Sequence, residues 1–401
     1  MLKIYRLRDY DFILVILLAA ISIIGILLVG SADPSLQSRQ MAGVIMGFVI
    51  MVILSLIDYS WILHMSRILY GLILILLAAV LITGVSSHGA ARWIEIGGLQ
   101  FQPTELAKVI IILFFANYFM NHQDTISSWK EMIKSVLLLA VPLAMIARQP
   151  DLKNTITIIM IFFAMLFAAG LSYKKIGIIL LVGFVVIFSA LFLIIQTDLP
   201  IIQDYQKQRI MSFLSVDTSD EDLENTEEDT DYTESRMQQE NSIMAIGSGQ
   251  LNGKGLNNSD VNSVSKGNFV AEAQNDFIFA VAGEELGFRG CLLIIFLLGA
   301  ITAECMRVGQ KAKDTAGKLI GVGMGSLIAV QSIINISVAT GLFPNTGTPL
   351  PFVSYGLTSL VSLFIGMGFV LNVGLQQKKE DLIVNLKEKE IDTKKFIAGR
   401  Y

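Results

Sequence analysis

About ten apolar runs, each long enough to cross a lipid bilayer, follow one another along this sequence of 401 residues. Because the bilayer interior offers no hydrogen-bond partners to an open backbone, such runs cross it as helices. Hydrophobic residues make up 53% of the chain and charged residues only 16%, so we predict an all-α polytopic membrane protein that does not bind nucleic acid. The runs cover roughly residues 11–30, 40–57, 64–83, 104–120, 133–148, 154–172, 176–196, 277–305, 318–341 and 355–376.

The distribution of lysine and arginine predicts the orientation of the chain in the membrane. An even number of spans places both termini on one side, so we expect residues 1–401 to form one membrane domain with a charged cytoplasmic tail at 377–401. The first run begins near Asp11 and lacks a small-residue cleavage site, which predicts a retained helix. By the positive-inside rule the cytoplasmic connections are those that contain Lys3, Arg6, Arg8, Arg67, Lys130, Lys134, Lys174, Lys175, Arg307, Lys311, Lys313 and Lys318.

A single long connection, residues 197–276, joins the seventh and eighth runs and is predicted to be extracellular. Its middle part, residues 217–240, is acidic and of low complexity, which predicts a disordered insertion. The preceding stretch DYQKQRIMSFL, which contains Arg209, has the spacing of an amphipathic helix at the outer interface. The following stretch IGSGQLNGKGLNNS is rich in glycine and asparagine and predicts a flexible return.

Two clusters of polar residues lie in short connections on the predicted outer side. In GAARWIEIGGLQFQPTELAK, Arg92 lies in a polar link, and Glu105 and Lys108 are three residues apart at the start of a span, where they can pair. In ARQPDLKNT the connection is so short that its two spans must form a tight hairpin. Asp151 in this connection either caps the next helix or contacts a ligand. Charged residues cost on the order of 3 kcal/mol each inside a span, so we expect them to face a cavity or a partner.

Two further stretches lie on the same side, one with irregular backbone and one with acidic residues. GLFPNTGTPLPFVSYGLTS has three prolines and several glycines before a span, which predicts a re-entrant loop. In QNDFIFAVAGEELGFRG, helical spacing places Ala280, Gly283 and Gly287 on one face below Asp276, so that this face packs against protein. Asp276 is then either a helix cap or a general base at a partly wet mouth. Glu284 lies about 12 Å deeper and needs a partner or water.

The sequence lacks several motifs, and their absence limits the reactions that such a site can support. The sequence contains no phosphate-binding Gly-Lys-Ser/Thr loop and no dinucleotide fingerprint, and its three histidines are scattered. A substrate that reaches the mouth from the bilayer is most naturally a lipid, and a lipid pyrophosphate carries its own leaving group. Its transfer needs a base, for which Asp276 is suited, and cations for the pyrophosphate. The cations available are Arg92, Lys108, Arg148, Lys153 and Arg209.

Four ordered motifs give the chain a resemblance to the bacterial SEDS family (shape, elongation, division and sporulation), which includes RodA, FtsW and SpoVE. They are ARWIEIGGLQFQPTELAK, YQKQRIMSFL, NDFIFAVAGEELGFRG and TGTPLPFVSYG, and the last leans towards the RodA-like members. The resemblance covers nearly the whole chain. It implies a peptidoglycan glycosyltransferase that polymerises lipid II into glycan strands, with inversion, at the outer face of the cytoplasmic membrane. It also implies a class B penicillin-binding protein as transpeptidase partner, within the cell elongation or division machinery.

The same resemblance implies roles for individual residues. Asp276 matches the family's essential carboxylate and would deprotonate the acceptor hydroxyl. Glu284, Glu285 and Tyr355 match motif positions with supporting roles. No residue spacing is typical of a metal site, and the sequence leaves open whether a divalent cation takes part. The residues implied to contact substrate, or each other, are Arg92, Glu105, Lys108, Asp151, Arg209 and Ser354.

The chain departs from the family pattern in three places. Lys153 and Asn154 stand where the pattern has a glycine before threonine, and Leu357 and Thr358 stand where Gly and Ser are usual. The third departure is the acidic insertion at 217–240. Two other functions fit the same motifs: a flippase that moves lipid II across the bilayer, and a scaffold that recruits cell-wall synthases.

Overall fold

A computed structural model describes residues 10–87, 90–96, 99–149, 151–175, 177–178, 228–257 and 273–376. Long helices account for most of these residues, which confirms the predicted all-α polytopic architecture. In chain order the elements are α1 (Phe12–Ala32), α2 (Gln37–Ser55), α3 (Tyr59–His64), α4 (Ser66–Thr83), β1 (Val85–Ser87), β2 (Ala90–Ile96), β3 (Leu99–Phe101), α5 (Pro103–Asn121), α6 (Trp129–Arg148), α7 (Leu152–Ala168), α8 (Glu228–Ser248), α9 (Ile278–Gln310), α10 (Thr315–Ala339) and α11 (Leu357–Gln376).

Within the described ranges, six helices are long and apolar enough to cross a membrane: α1, α2, α5, α9, α10 and α11. Helices α4 and α7 are shorter apolar helices, and α6 coincides with the predicted run at 133–148. The predicted run at 176–196 lies almost entirely outside the described residues, so a total of ten spans stays a prediction. The interfacial segment with Arg209, residues 217–227 and the tail 377–401 also lie outside them.

Side chains cap the first turns of five helices and so fix where these helices begin. Each carboxylate or hydroxyl oxygen accepts a hydrogen bond from a backbone N–H two or three residues further along, a donor that would otherwise have no partner inside the helix. The capping residues are Asp11, Asp58, Ser128, Asp151 and Asp314.

The connection between α4 and α5 forms a small sheet, whereas the sequence predicts a simple polar link. Strand β2 pairs antiparallel with β1 on one side and with β3 on the other. Ile94 lies opposite Phe101, and Val85 lies opposite Trp93. Pairing the strands lets the backbone satisfy its own hydrogen bonds in a short connection next to apolar spans, which an open link would not do.

Helix α9 is broken at Gly287, where φ is 65° and ψ is −167°. The sequence predicts one continuous helical face from Asp276 to Gly287, and this prediction is wrong at its end because Gly287 leaves the helical conformation. The break divides α9 into a short segment, residues 278–286, and a longer one that follows it. On the short segment the small residue Gly283 packs against Ile246 of α8, as predicted for a face that meets protein.

Residues 249–257, here called the bridging segment, supply the hydrogen bonds that the break in α9 removes. The N–H groups of Lys254 and Gly255 donate to the carbonyls of Glu284 and Glu285, both at 2.9 Å. On the other side of the break, the N–H of Phe288 donates to the Gln250 carbonyl at 2.8 Å, and the N–H of Arg289 donates to that of Leu251 at 3.3 Å. The prediction of a flexible return is therefore wrong for this segment, because its backbone is paired with α9.

Helix α8 begins inside the stretch that the sequence predicts to be disordered. Residues 228–240 are helical, which differs from that prediction for the second half of 217–240. The reason lies in the second half of α8, which docks on the C-terminal end of α10. Gln239 Nε2 donates to the carbonyls of Val338 and Phe343 at 2.9 and 2.7 Å, and Ser242 Oγ donates to that of Ala339 at 2.8 Å.

We expect Gly253→Ala to destabilise the protein more than Gly255→Ala. Both glycines have left-handed φ values, 77° and 95°, so both substitutions carry a cost on the order of 1–2 kcal/mol. A Cβ at Gly253 would lie 2.1 Å from the Glu285 carbonyl oxygen, whereas a Cβ at Gly255 would meet nothing within 4 Å. The melting temperature of the detergent-solubilised protein measures the difference, and equal losses in the two variants would contradict the tight fit of the bridging segment.

Candidate active site

Asp276 lies at one end of the helix bundle, immediately before α9. We call this end the mouth: it consists of the sheet β1–β3, the turn between α6 and α7, residues 274–277 and the loop 341–356. Helix α9 begins at Ile278 and its capping position is Phe277. The capping position of α9 is therefore occupied by Phe277 and not by Asp276.

The amide of Asn335, on α10, fixes the backbone at Asp276. Asn335 Nδ2 donates to the carbonyl of Asp276 at 2.8 Å and to that of Thr348 at 2.7 Å. Asn335 is almost completely buried, with 1% of its surface exposed, so these hydrogen bonds are sheltered from competing water. One side chain thereby ties residues 274–277 to the loop 341–356.

The predicted re-entrant loop carries Ser354 and Tyr355, and both hold the chain that leads to Asp276. Ser354 Oγ donates to the Asn275 carbonyl at 2.5 Å and accepts the N–H of Leu350 at 2.7 Å. The N–H of Tyr355 donates to the Gln274 carbonyl at 2.9 Å. Because the Ser354 hydroxyl is occupied within the protein, its contacts in this structure are those of a positioning residue.

Gly347 brings the Asp276 carboxylate and the Lys153 ammonium to one point of the mouth. Its φ of 70° lies in the left-handed region. A Cβ at this position would lie 2.9 Å from Asp276 Oδ2 and 3.8 Å from Lys153 Nζ. Lys153 Nζ also donates to the Gly347 carbonyl. Glycine is favoured here because of this left-handed φ, and a side chain at this position would displace the carboxylate.

Glu105 and Lys108 form the ion pair that their spacing predicts. Lys108 Nζ donates to both carboxylate oxygens at 2.9 Å, and the two side chains are 3% and 1% exposed. Lys153 interacts electrostatically with both members of the pair. This buried pair lies beneath the mouth within α5, and removing one partner would leave the other charge uncompensated.

Asp151 has the capping role that the sequence left open, and it also connects two helices. Its carboxylate accepts the Asn154 N–H at 3.3 Å, Asn154 Nδ2 at 2.7 Å and Gln102 Nε2 at 3.1 Å. The side chain is fully buried. Asn154, one of the departures from the SEDS pattern, thus contributes a side-chain bond that a glycine would not supply.

Arg92 joins the sheet to the turn between α6 and α7. Arg92 Nε donates to the carbonyl of Gln149 at 3.3 Å, and Gln149 Nε2 donates to the Leu77 carbonyl at 3.0 Å. The turn is as short as predicted, since α6 ends at Arg148 and α7 begins at Leu152. The structure therefore places Arg92 on the rim of the mouth.

Glu284 and Glu285 lie at the break in α9, away from the loop 341–356. Lys254 Nζ donates to Glu284 at 2.8 Å, and Glu284 is 1% exposed. Ser31 Oγ, on α1, donates to Glu285 and accepts the N–H of Asn257 at 2.9 Å. These contacts attach the bridging segment to both α9 and α1, which agrees with a supporting role.

Sequence reasoning missed Asn335, Gly347 and Ser31 as members of this arrangement. A polar residue inside an apolar span usually faces a cavity or a partner, and by that criterion the amide in SIINIS marks Asn335 as a site residue. Gly347 is one of several glycines in its loop and has no distinguishing signal. In the part of the chain that the structure describes, no group of three or more His, Cys, Asp or Glu residues is arranged to hold a metal ion.

Comparisons with known proteins cover nearly the full length of the chain. The chain is 32% identical over 368 residues to the peptidoglycan glycosyltransferase MrdB of Escherichia coli K12, which covers 91% of this chain and 93% of that protein. It is 31% identical over 385 residues to the probable peptidoglycan glycosyltransferase FtsW of Trichlorobacter lovleyi, which covers 92% of this chain and 94% of that protein.

A solved structure agrees with these relatives. A chain from work on the structural coordination of polymerization and crosslinking by a peptidoglycan synthase complex matches with a TM-score of 0.72 and 27% sequence identity. The match covers 92% of this chain and 98% of the other. The family model for FtsW, RodA and SpoVE, described as "Cell cycle protein", matches residues 5–379. The chain therefore belongs to this FtsW, RodA and SpoVE family of multi-pass membrane proteins, the family that its four motifs resemble.

Proposed function

We propose that this protein is a peptidoglycan glycosyltransferase that polymerises lipid II during cell elongation or division. The observation that carries the proposal is the fixed position of Asp276 at the mouth, where its carboxylate lies beside Gly347 and the Lys153 ammonium. The names of the relatives MrdB and FtsW support the same activity. Their nearly equal identities to this chain, 32% and 31%, do not favour elongation over division.

In the proposed reaction, Asp276 is the general base. Its carboxylate takes the proton of the acceptor sugar hydroxyl, and the acceptor oxygen forms a bond to the anomeric carbon of the donor. The bond from that carbon to the pyrophosphate breaks, and its electron pair leaves with the lipid pyrophosphate. Because attack and departure occur on opposite faces of the sugar, an α-linked donor gives a β-linked glycan.

The backbone contacts of Asp276 suit this role. A general base must be held within hydrogen-bond distance of the proton that it removes, about 2.6–3.2 Å between heavy atoms. Asn335 and Ser354 hold residues 275 and 276 through their carbonyl groups, so the carboxylate itself is not consumed by these bonds. The same polar contacts explain why irregular backbone is stable next to apolar spans.

We also propose an orientation and a partner. The mouth faces the outside of the cytoplasmic membrane and both termini face the cytoplasm, as the distribution of lysine and arginine predicts. A transpeptidase of the class B penicillin-binding proteins crosslinks the strands that this protein makes. The similarity to a chain of a complex that coordinates polymerization and crosslinking supports this pairing.

We expect Asp276→Asn to lower lipid II polymerisation by at least about 100-fold, because it removes the general base but keeps the size of the side chain. The assay uses the purified protein in liposomes, with and without its penicillin-binding protein. Asp124→Asn is the matched control, since Asp124 is exposed in the connection between α5 and α6. Equal activity of Asp276→Asn and wild type would contradict the proposal. Transport of lipid II without strand formation by the wild type would favour the flippase.

We expect Asn335→Leu to lower polymerisation by about 10-fold or more while the protein still inserts in the membrane. The substitution keeps the number and branching of the side-chain heavy atoms but leaves the carbonyls of Asp276 and Thr348 without their donor, at a cost of about 1–3 kcal/mol. Ser332→Ala is the control on the same helix, because the buried Ser332 hydroxyl donates only to the Ile328 carbonyl one turn away. A parallel loss of activity in both variants would indicate general damage to α10 and contradict a specific role of Asn335.

We expect a cysteine at Ser35 to react with a membrane-impermeant thiol reagent in intact cells, and a cysteine at Gln123 to react only after the membrane is opened. Ser35 is exposed between α1 and α2, and Gln123 is exposed between α5 and α6. The natural Cys291 and Cys305 are buried, so the background should be low. The reverse labelling pattern would overturn the proposed orientation.

A further inference from the structure

The Lys153 side chain lies close to the Asp276 carboxylate. Its place in the first turn of a helix does not by itself require this contact. Lys153 occupies the first turn of α7, and its side chain is half-buried. The ammonium donates to the Gly347 carbonyl and lies 3.8 Å from the point where a Gly347 Cβ would be. Asp276 Oδ2 lies 2.9 Å from that same point. The cation and the candidate base therefore lie near the same point, next to Gly347.

The other cations predicted for the mouth are already bound to protein groups or lie elsewhere. Lys108 donates to both oxygens of Glu105 and is 1% exposed, so it is enclosed below the mouth. Arg92 donates to the Gln149 carbonyl on the rim. Arg209 lies outside the described residues. Arg148 is exposed at the end of α6. Among the four of these cations that lie in described residues, Lys153 is the one whose ammonium is placed next to the Asp276 carboxylate.

The geometry of an in-line transfer requires a cation at some distance from the base. The base lies about 3 Å from the acceptor oxygen, and the acceptor oxygen lies about 3 Å from the anomeric carbon before attack. The leaving oxygen is on the far side of that carbon, so a group that stabilises it cannot adjoin the base directly. Asp276 Oδ2 and Lys153 Nζ lie 2.9 and 3.8 Å from the same point at Gly347, so a substrate bound there can contact the carboxylate with its acceptor hydroxyl and the ammonium with its pyrophosphate.

The chemistry of an ammonium also fits a pyrophosphate. It has three N–H donors and a full positive charge, and the bond to Gly347 uses one donor. Charged donors form shorter and stronger hydrogen bonds to phosphate oxygens than neutral donors do. A lysine at this point can therefore hold the loop 341–356 and bind an anion at the same time.

We propose that Lys153 binds the pyrophosphate of the lipid-linked donor and stabilises the negative charge that grows on it as the glycosidic bond breaks. The inference rests on the proposed function, because it assigns the leaving-group contact within that reaction. Proton, electron pair and leaving group move as described above, and Lys153 stays protonated throughout. The SEDS pattern usually has a glycine near this position, so the contact would be a feature of this chain.

A purely structural role makes a different prediction. If Lys153 only attaches α7 to the loop through the Gly347 carbonyl, a neutral donor should serve as well. Lys153→Gln keeps an N–H donor without the charge, Lys153→Arg keeps the charge, and Lys153→Met removes both. Lys318→Met is the matched control, because Lys318 Nζ donates to the Ala168 carbonyl at 2.8 Å at the other end of α7.

The test measures polymerisation kinetics of each variant and lipid II binding in an Asp276→Asn background in nanodiscs. We expect Lys153→Gln and Lys153→Met to lower kcat/KM about 10- to 100-fold, as the loss of a charged hydrogen bond does. We expect lipid II binding and inhibition by inorganic pyrophosphate to weaken together, about 10-fold. Lys153→Arg and Lys318→Met should remain within a few-fold of wild type.

Several outcomes would overturn the inference. Wild-type kinetics of Lys153→Gln would show that only the hydrogen bond to Gly347 matters. Unchanged inhibition by pyrophosphate, with weakened lipid II binding, would assign Lys153 to another anionic part of the substrate. Either result would leave the glycosyltransferase proposal intact, since the wild type would still form strands. Failure of the wild type to polymerise would instead overturn the proposed function, and this inference with it.

Discussion

The hydrogen bonds between the bridging segment and the broken helix α9 are the interaction on which the rest of the mouth depends. A break in a helix among apolar spans releases carbonyl and N–H groups, and each one left unpaired away from water would cost free energy comparable to a lost hydrogen bond. The backbone of residues 250–255 pairs with these groups on both sides of Gly287. The direction of the short helical segment 278–286 is thereby fixed, and Asp276 lies two residues before this segment.

The features that follow from local physics could be predicted from the sequence. Hydropathy located the described spans, the short connection predicted the hairpin between α6 and α7, and a spacing of three predicted the Glu105–Lys108 pair. The prolines and glycines of 341–356 predicted irregular backbone. Each of these depends on residues close together in the chain, where helix periodicity and the low polarity of the bilayer determine the outcome.

The remaining features depend on contacts between distant parts of the chain. A glycine at position 287 is compatible with a helical face of small residues and also with a break in the helix. The break is stable because the bridging segment pairs with the backbone groups that it releases. Asn335 joins Asp276 to Thr348, and no periodic pattern connects these three positions. The roles assigned to Asp276 and its neighbours came from the family resemblance, because composition and spacing alone allowed several functions for a carboxylate at the mouth.

The pairing of the bridging segment with α9 also determines where the chain can change length. Four backbone bonds set the register between residues 250–255 and the break, and Gly253 fits against the Glu285 carbonyl only in that register. An insertion or deletion between residues 250 and 255 would disrupt this register, whereas one placed before α8 leaves it unchanged. The long connection can therefore vary in length before α8, while the stretch 250–255 has to keep a constant number of residues.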